Sequence, residues 1–436
     1  MSSNARVNLW GRQIGAVVWD EQRQIGVFQY TPEFVSSGIQ LSPLMMPTTN
    51  APYSFPALRE AFHGLPGLVA DSLPDKYGHR LINRWLASQG REPGSMDPVE
   101  RLCYIGTRGM GALEYDPALS PHVGRDHLLD IASLVNLANK VLTHREELTG
   151  ILGGEDDGEA LRDILRVGTS AGGARAKALV AWNRETGEFR SGQIDLPRGY
   201  EHWLLKFDGI NNNRDKELAD PKGYGLVEYA YSLMAKNAGI NMMPCHLLEE
   251  GGRSHFMTRR FDRTDTGKKI HMLSLAALCH FDYNDPSSYS YEQALYAIRQ
   301  ISAESTADIE QQFLRAAFNV VARNQDDHVK NIAFLMNPAG EWRLSPGFDI
   351  AYAWNPNGTH TGRHQMSVNG KRDNFELDDL IEFGQMAGIK PRKAKGLIGR
   401  VIDSVRGWPE LALEVGVSGD RVSKISKSHR LQLANL

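Results

Sequence analysis

The stretch that most constrains this chain is Asn324-Gln325-Asp326-Asp327-His328-Val329-Lys330-Asn331. It lies between a segment of strong helical periodicity, Ala307 to Arg323, and an apolar run, Ile332 to Met336. Asp326 and Asn331 are five positions apart. Phosphoryl-transfer loops use that separation between a carboxylate that takes the proton of an attacking hydroxyl and an amide oxygen that helps hold Mg²⁺. Downstream, Ser345-Pro346-Gly347-Phe348-Asp349-Ile350 sets a second acid between apolar residues, as a metal-facing strand end requires. The spacing selects Asp326 over Asp327, which reads as a solvated or helix-capping neighbour. His328 reads either as a hydrogen-bonding brace for the loop or as a satisfied core histidine. Lys330 reads either as a cation for the transferring phosphate or as a surface lysine.

A phosphoryl-transfer floor needs a roof, and the sequence holds candidates in the required order. Gly168-Thr-Ser-Ala-Gly-Gly173 would let backbone N–H groups approach phosphates, although Ala174-Arg175 follows where a Walker loop requires Lys-Ser/Thr. Lys206 interrupts the apolar strand pattern Trp203-Leu-Leu-Lys-Phe207, where a charge is costly unless paired. It is either an edge-strand or face-exposed lysine, or the strand lysine that holds nucleotide phosphates and is paired by a helix glutamate. Glu228, on the next helix pattern, is the available partner; its other reading is an ordinary solvated acid near a helix N-terminus.

Size and composition bound the rest. A chain of 436 residues suggests two or three domains. A formal net charge of −3 gives no global reason for nucleic-acid binding. Cys103, Cys245 and Cys279 form no CxxC pair and read as buried thiols in a reducing compartment. With no apolar core near Met1 and no membrane-length apolar run, a cytoplasmic location is expected.

The first thirty residues alternate as a short antiparallel meander, broken at Gly11-Arg-Gln and Asp20-Glu-Gln-Arg. Asp71-Ser-Leu-Pro-Asp75 carries an N-cap signal into a helix over Gly78 to Ala87, and Arg101 to Tyr115 bends through three glycines before a strand. Leu128 to Leu148 is helical in period, and Gly153-Gly-Glu-Asp-Asp-Gly158 is the expected domain boundary. A second β-rich segment follows, with strands at Ala178 to Trp182 and His202 to Phe207. An amphipathic helix over Leu226 to Ala238 and a hairpin over Pro244 to Phe261 complete it. Helix patterns then dominate: Tyr291 to Ile301, Ala307 to Arg323, Leu377 to Met386, Pro391 to Val405 and Pro409 to Val415. The expected parts are a β-rich N-terminal subdomain with helices over 1–150, a region with glycine loop and strand lysine over 151–258, and a helical lobe over 259–436. Basic runs at Pro391 to Lys395 and Arg421 to Arg430 read as solvated helix faces, with operator phosphates as the other reading.

Several of these motifs occur together in one group. Gly168 to Lys177, His202 to Lys206, Arg260-Phe-Asp-Arg263, Asp326 to Asn331 and Phe348-Asp349-Ile350 resemble the HipA family of toxin serine/threonine-protein kinases. So do Asp71 to Asp75 and Ile105 to Ala112 upstream. The resemblance runs from residue 5 to about 430. It implies an α+β, two-lobed protein-kinase-like fold, with a β-rich N-terminal part, an all-helical C-terminal lobe, and ATP and Mg²⁺ between them. It assigns Asp326 as catalytic base, supported by Lys206, His328 and Lys330, and Asn331 and Asp349 as Mg²⁺ ligands. The nucleotide would be held by Gly172, Gly173, Ala174, Lys177, Lys206 and Glu228, with Arg259, Arg260 and Phe261 as the hinge whose backbone meets adenine. Ser170 would be autophosphorylated, with Thr169 as a second acceptor. The implied partners are a helix-turn-helix, HipB-like antitoxin, operator DNA through that antitoxin, and a protein substrate, often an aminoacyl-tRNA synthetase. Arg259 stands where the family commonly carries glutamate, and the Gly172-Gly173 loop departs from some relatives. A small-molecule phosphotransferase of aminoglycoside- or choline-kinase type shares the Asp-x4-Asn floor. Such enzymes usually lack a domain of about 150 residues ahead of the glycine loop.

Overall fold

Alternation in the first thirty residues produces three strands: β1 (Asn4–Leu9), β2 (Arg12–Asp20) and β3 (Ile25–Tyr30). In β1, Ala5, Val7 and Leu9 turn inward and their neighbours outward, as period 2 requires. The meander gains a fourth strand, β4 (Leu113–Asp116), and the sheet runs β3-β2-β1-β4, antiparallel throughout. The computed structural model describes residues 3–119, 128–143, 168, 175–193, 196–209 and 222–434. The expected boundary at Gly153–Gly158 lies outside the described residues.

The helix expected after Asp75 spans Lys76–Ser88, with the Asp75 carboxylate accepting from the Gly78 N–H at 2.7 Å. The stretch read as a bend before a strand contains a helix, Pro98–Ile105. Its signal was Asp97-Pro98: Asp97 accepts from Glu100 N–H, and proline fits the first turn, where its missing donor costs nothing. Gly106, at φ 59°, ends it.

The second sheet contains β5 (Lys177–Asn183), β6 (Phe189–Ser191), β7 (Tyr200–Lys206), β8 (Cys245–Glu250) and β9 (Arg253–Arg259), in the order β6-β5-β7-β9-β8. The β8–β9 turn uses Gly251 and Gly252 at φ 57° and 69°, the left-handed pair a tight hairpin needs. Tyr77, Leu81, Leu134, Val135 and Ala138, from the helices Lys76–Ser88 and Ile131–Thr143, share a buried cluster with Val180, Trp203, Leu205 and Met257. The N-terminal residues thus cover the sheet that carries Lys206.

The half after residue 259 holds the helices Tyr291–Ile301, Ser305–Ala322, Leu377–Met386, Pro391–Arg406 and Trp408–Val415, each within two residues of expectation. It is not all-helical. The apolar run after the Asp326 loop is too short for a helix and forms β12 (Ala333–Met336), between β10 (His271–Ser274) and β13 (Trp342–Leu344). A two-residue parallel pair, β11 (Tyr289–Ser290) with β14 (Met366–Ser367), lies beside the loop. The basic run from Arg421 falls partly on a further helix, Gly419–Ser426.

One buried cluster joins Val7, Phe28 and Tyr115 of the first sheet to Leu273, Phe318 and Ile398 of the second half. Polar contacts cross the same boundary. Trp10 Nε1 donates to the Lys269 carbonyl at 2.8 Å, and Asp71 accepts from both the N–H and hydroxyl of Ser274. Gly111 N–H donates to Asp262 at 2.7 Å. Burial alone would raise the Asp262 carboxyl, but Arg260 and Arg263 outweigh it and hold it well below the usual range. Among the described residues, no helix is long and apolar enough to cross a membrane. The three cysteines are free; Cys103 is buried, while Cys245 and Cys279 are partly so.

Candidate active site

Lys206 does not lie on an edge strand. β7 has β5 on one side and β9 on the other, and Lys206 is 6% exposed. Alternation turns Trp203 and Leu205 into the apolar cluster, leaving Lys206 for the opposite face. There its ammonium is bonded to Glu228 Oε1 and lies 2.5 Å from Asp349 Oδ1. Burial pulls Lys206 toward the neutral form; Asp349 and Glu228 outweigh it and hold the ammonium above its ordinary range.

Glu228 is likewise no solvated acid. It is 1% exposed, and its second oxygen takes Arg175 at 2.5 Å. Its helix, Tyr224–Asn237, lies close against β9 because Gly225 has no side chain: a Cβ there would sit 2.0 Å from the Ser254 carbonyl oxygen. The Arg175 guanidinium also lies 4.7 Å from the Tyr224 ring centroid.

Lys177 is the direct cross-strand partner of Lys206. Like charges so placed repel, and each finds its own acid. Lys177 is 2% exposed and pairs with Asp75 at 3.2 Å. Burial lowers the Lys177 ammonium and raises the Asp75 carboxyl. Thr169, Ser170, Gly172, Gly173 and Ala174 lie outside the described residues.

The floor begins where the helix Ser305–Ala322 stops at Arg323, in a left-handed conformation. Asp326 has a side chain 41% exposed, and its Oδ1 accepts from Gln365 Nε2 at 2.9 Å. His328 Nε2 is 3.8 Å from the same oxygen. Asp327 is neither solvated nor a cap: it is 3% exposed and accepts from Tyr291, His364 and the Gln365 N–H. A buried carboxylate needs such donors, and the loop's turn aims it inward. The Asn331 amide nitrogen donates to the Asp326 carbonyl at 2.7 Å, so its oxygen is the atom turned away from that bond. Lys330 is half-buried, with its ammonium 4.0 Å from the Tyr283 ring centroid. Asp349 adopts φ 54°, a conformation uncommon outside glycine and enriched at functional sites. Lys206 therefore touches both Glu228 and Asp349, and Asp326 and Asn331 share one loop.

The hinge reading changes in detail. Arg259 N–H donates to Pro244 and Arg260 N–H to His202, both at 2.9 Å. The Arg259 guanidinium lies on Asp265, and that of Arg260 grips Asp262 through two bonds of 2.8 and 2.7 Å. Neither backbone N–H of these two is available to a base, because the end of the β-ladder takes both. Phe261 N–H has no partner among the described residues, and its ring lies 5.4 Å from that of Phe348, beside Asp349.

Comparison with known proteins then bears on this geometry. Residues 169–408 match the HipA-like C-terminal domain, and residues 5–116 match the HipA N-terminal domain. The chain belongs to the HipA family. The HipA chain of a Shewanella oneidensis MR-1 toxin–antitoxin complex with HipB and operator DNA is similar in structure. Its TM-score is 0.68 at 18% identity, over 99% of this chain and 96% of that one. The Helicobacter pylori proinflammatory kinase CtkA aligns at a TM-score of 0.33 and 15% identity, over 54% of this chain and 89% of that one.

The oxygens of this HipA-family site fit a hard cation. Mg²⁺ keeps several waters and takes only one or two side chains besides phosphate oxygens. The amide oxygen of Asn331 and the carboxylate of Asp349 are donors of that kind, and these two residues would hold it. Sequence reasoning missed Gln365, 39 positions from Asp326, because no local spacing links them. It also left Arg175 without a role, and read Asp75 as part of an N-cap signal but not as the partner of Lys177, although both stood inside recognised motifs.

Proposed function

We propose that this chain is an ATP- and Mg²⁺-dependent protein serine/threonine kinase, acting as the toxin of a bacterial toxin–antitoxin pair. The observation that carries this is the contact of Lys206 with both Glu228 and Asp349, a strand lysine bridging the roof acid and the floor acid. Lys206 holds the nucleotide phosphates, with Lys177 beside it, and Glu228 keeps Lys206 oriented. Mg²⁺, held by Asn331 and Asp349, supplies charge neutralisation on the phosphates when bound. Asp326 orients the acceptor hydroxyl and takes its proton, while His328 and Lys330 flank it. The Phe261 N–H faces the adenine.

Ser170 accepts phosphate from the enzyme's own ATP, which would put close to two negative charges into the glycine loop. The two matching HipA domains support the toxin reading over a small-molecule phosphotransferase. The partners are a HipB-like helix-turn-helix antitoxin, operator DNA through it, and a translation protein such as an aminoacyl-tRNA synthetase, whose modification arrests growth in the cytoplasm. The test is incubation of the purified chain with Mg²⁺ and radiolabelled ATP, followed by phosphopeptide mapping. Label on Ser170 that disappears in Asp326→Asn is expected; equal labelling of that variant would sink the reading.

A further inference from the structure

The Asp326 carboxylate is partly exposed, and its close donor among the described residues is one amide, Gln365 Nε2 at 2.9 Å. Gln365 itself is 7% exposed and fixed through its backbone. Its N–H donates to Asp327 Oδ1 at 2.8 Å, and its carbonyl accepts from the Ser287 N–H at 3.1 Å. The other oxygen of Asp327 takes the Tyr291 hydroxyl at 2.9 Å and His364 Nδ1 at 2.7 Å. Asn319 donates to that same hydroxyl, which leaves the tyrosine proton for Asp327.

The next link fixes the direction of the chain. Arg430 Nη1 lies 2.9 Å from His364 Nε2. A guanidinium only donates, so Nε2 accepts and the imidazole proton sits on Nδ1, facing Asp327. Arg430 is held in turn by the Val320 carbonyl at 2.7 Å and by Asp373. From the carboxy-terminal segment to Asp326, every bond therefore has one assignment.

We propose that Gln365 is a positioning residue for Asp326, an inference that rests on the kinase reading above. Its amide ties down Oδ1, so that Oδ2 is the oxygen turned to the acceptor hydroxyl. Asp327 cannot substitute, because both its oxygens are already taken. A carboxylate without this tie spends less time in the reactive orientation, and misplacement of that kind costs roughly 10- to 100-fold in rate.

The experiment compares wild type, Gln365→Leu and Gln365→Glu in autophosphorylation with Mg²⁺-ATP, alongside ATP affinity by calorimetry. Both variants are expected to lose roughly 10- to 100-fold in kcat with ATP affinity within about twofold of wild type. Gln365→Glu presents a second carboxylate, and is expected to regain part of its rate, relative to wild type, as pH falls from 8 toward 6 and the pair shares a proton. Wild-type kcat in Gln365→Leu, or a parallel loss of ATP affinity, overturns the proposal. So does a pH profile for Gln365→Glu of wild-type shape. A crystal structure of either variant decides the orientation without turnover: an unchanged Asp326 rotamer sinks the positioning role even if the enzyme is a kinase. A shifted rotamer in a chain whose wild type has no ATP turnover upholds the tie and removes the kinase reading instead.

Discussion

Glu228 serves two cations, Lys206 and Arg175, from inside the protein. Removing it leaves Lys206 with Asp349 alone and takes from Arg175 the carboxylate that it reaches at 2.5 Å; breaking a buried pair in this way costs about 3–5 kcal/mol. Glu228→Ala is therefore expected to lower the denaturation midpoint markedly, and to reduce autophosphorylation more than ATP binding. Urea titration of the purified variant checks the first part; a midpoint equal to wild type would show that Glu228 is not the partner both cations need. At this scale the sequence was legible where chemistry repeats at fixed spacing. Asp326 and Asn331 share a short loop, and Lys206 stands out as a charge within an apolar strand. It was illegible where a partner comes from elsewhere in the chain. Nothing near Asp327 foretold His364, and nothing near Asp326 foretold Gln365.

At the scale of elements, the helix Tyr224–Asn237 carries Glu228 to Lys206 only because its first turn touches the backbone of β9. Gly225→Ala would press a methyl group against the Ser254 carbonyl, with no flexible side chain to yield. Such overpacking costs roughly 1–3 kcal/mol, and here it also pushes the helix from the sheet. The expected result is a loss of stability together with weaker ATP affinity, read by thermal shift with and without nucleotide. A variant with unchanged nucleotide-dependent stabilisation would mean that the helix is positioned by other contacts. Long periodic helices and the Gly251-Gly252 hairpin were readable in the sequence because each is local. β12 was not, because its four residues take their form from pairing with β10 and β13. The helix Pro98–Ile105 was readable in principle from its Asp-Pro start, but its glycine-rich sequel drew the reading toward a bend.

Across the whole molecule, buried histidines make stability depend on pH. His255 and His271 have no exposed surface, and burial pulls both imidazoles down to about 4. His202 and His280 are lowered to about 4 for the same first reason. Between pH 6.5 and 4 the unfolded chain binds protons that the folded chain refuses, so stability falls as pH falls through that window. Each such group contributes about 1.4 kcal/mol per pH unit. Thermal midpoints measured from pH 7 to 4.5 are expected to decline steeply, and a flat profile would contradict the burial of these rings. At this scale the mixed helix-and-sheet HipA fold was legible through the resemblance, but the shared core was not, since burial between distant segments leaves no periodic trace. The core that unites Val7 and Phe28 with Leu273 and Phe318 has a further consequence, for a chain still on the ribosome. Its first sheet is finished when Asp116 emerges, yet Leu273 and Phe318, which share its core, follow only about 160 and 200 residues later, roughly 10 to 40 s at the pace of synthesis. Until they arrive, the apolar surface of the amino-terminal quarter that they later cover is open to a holding chaperone.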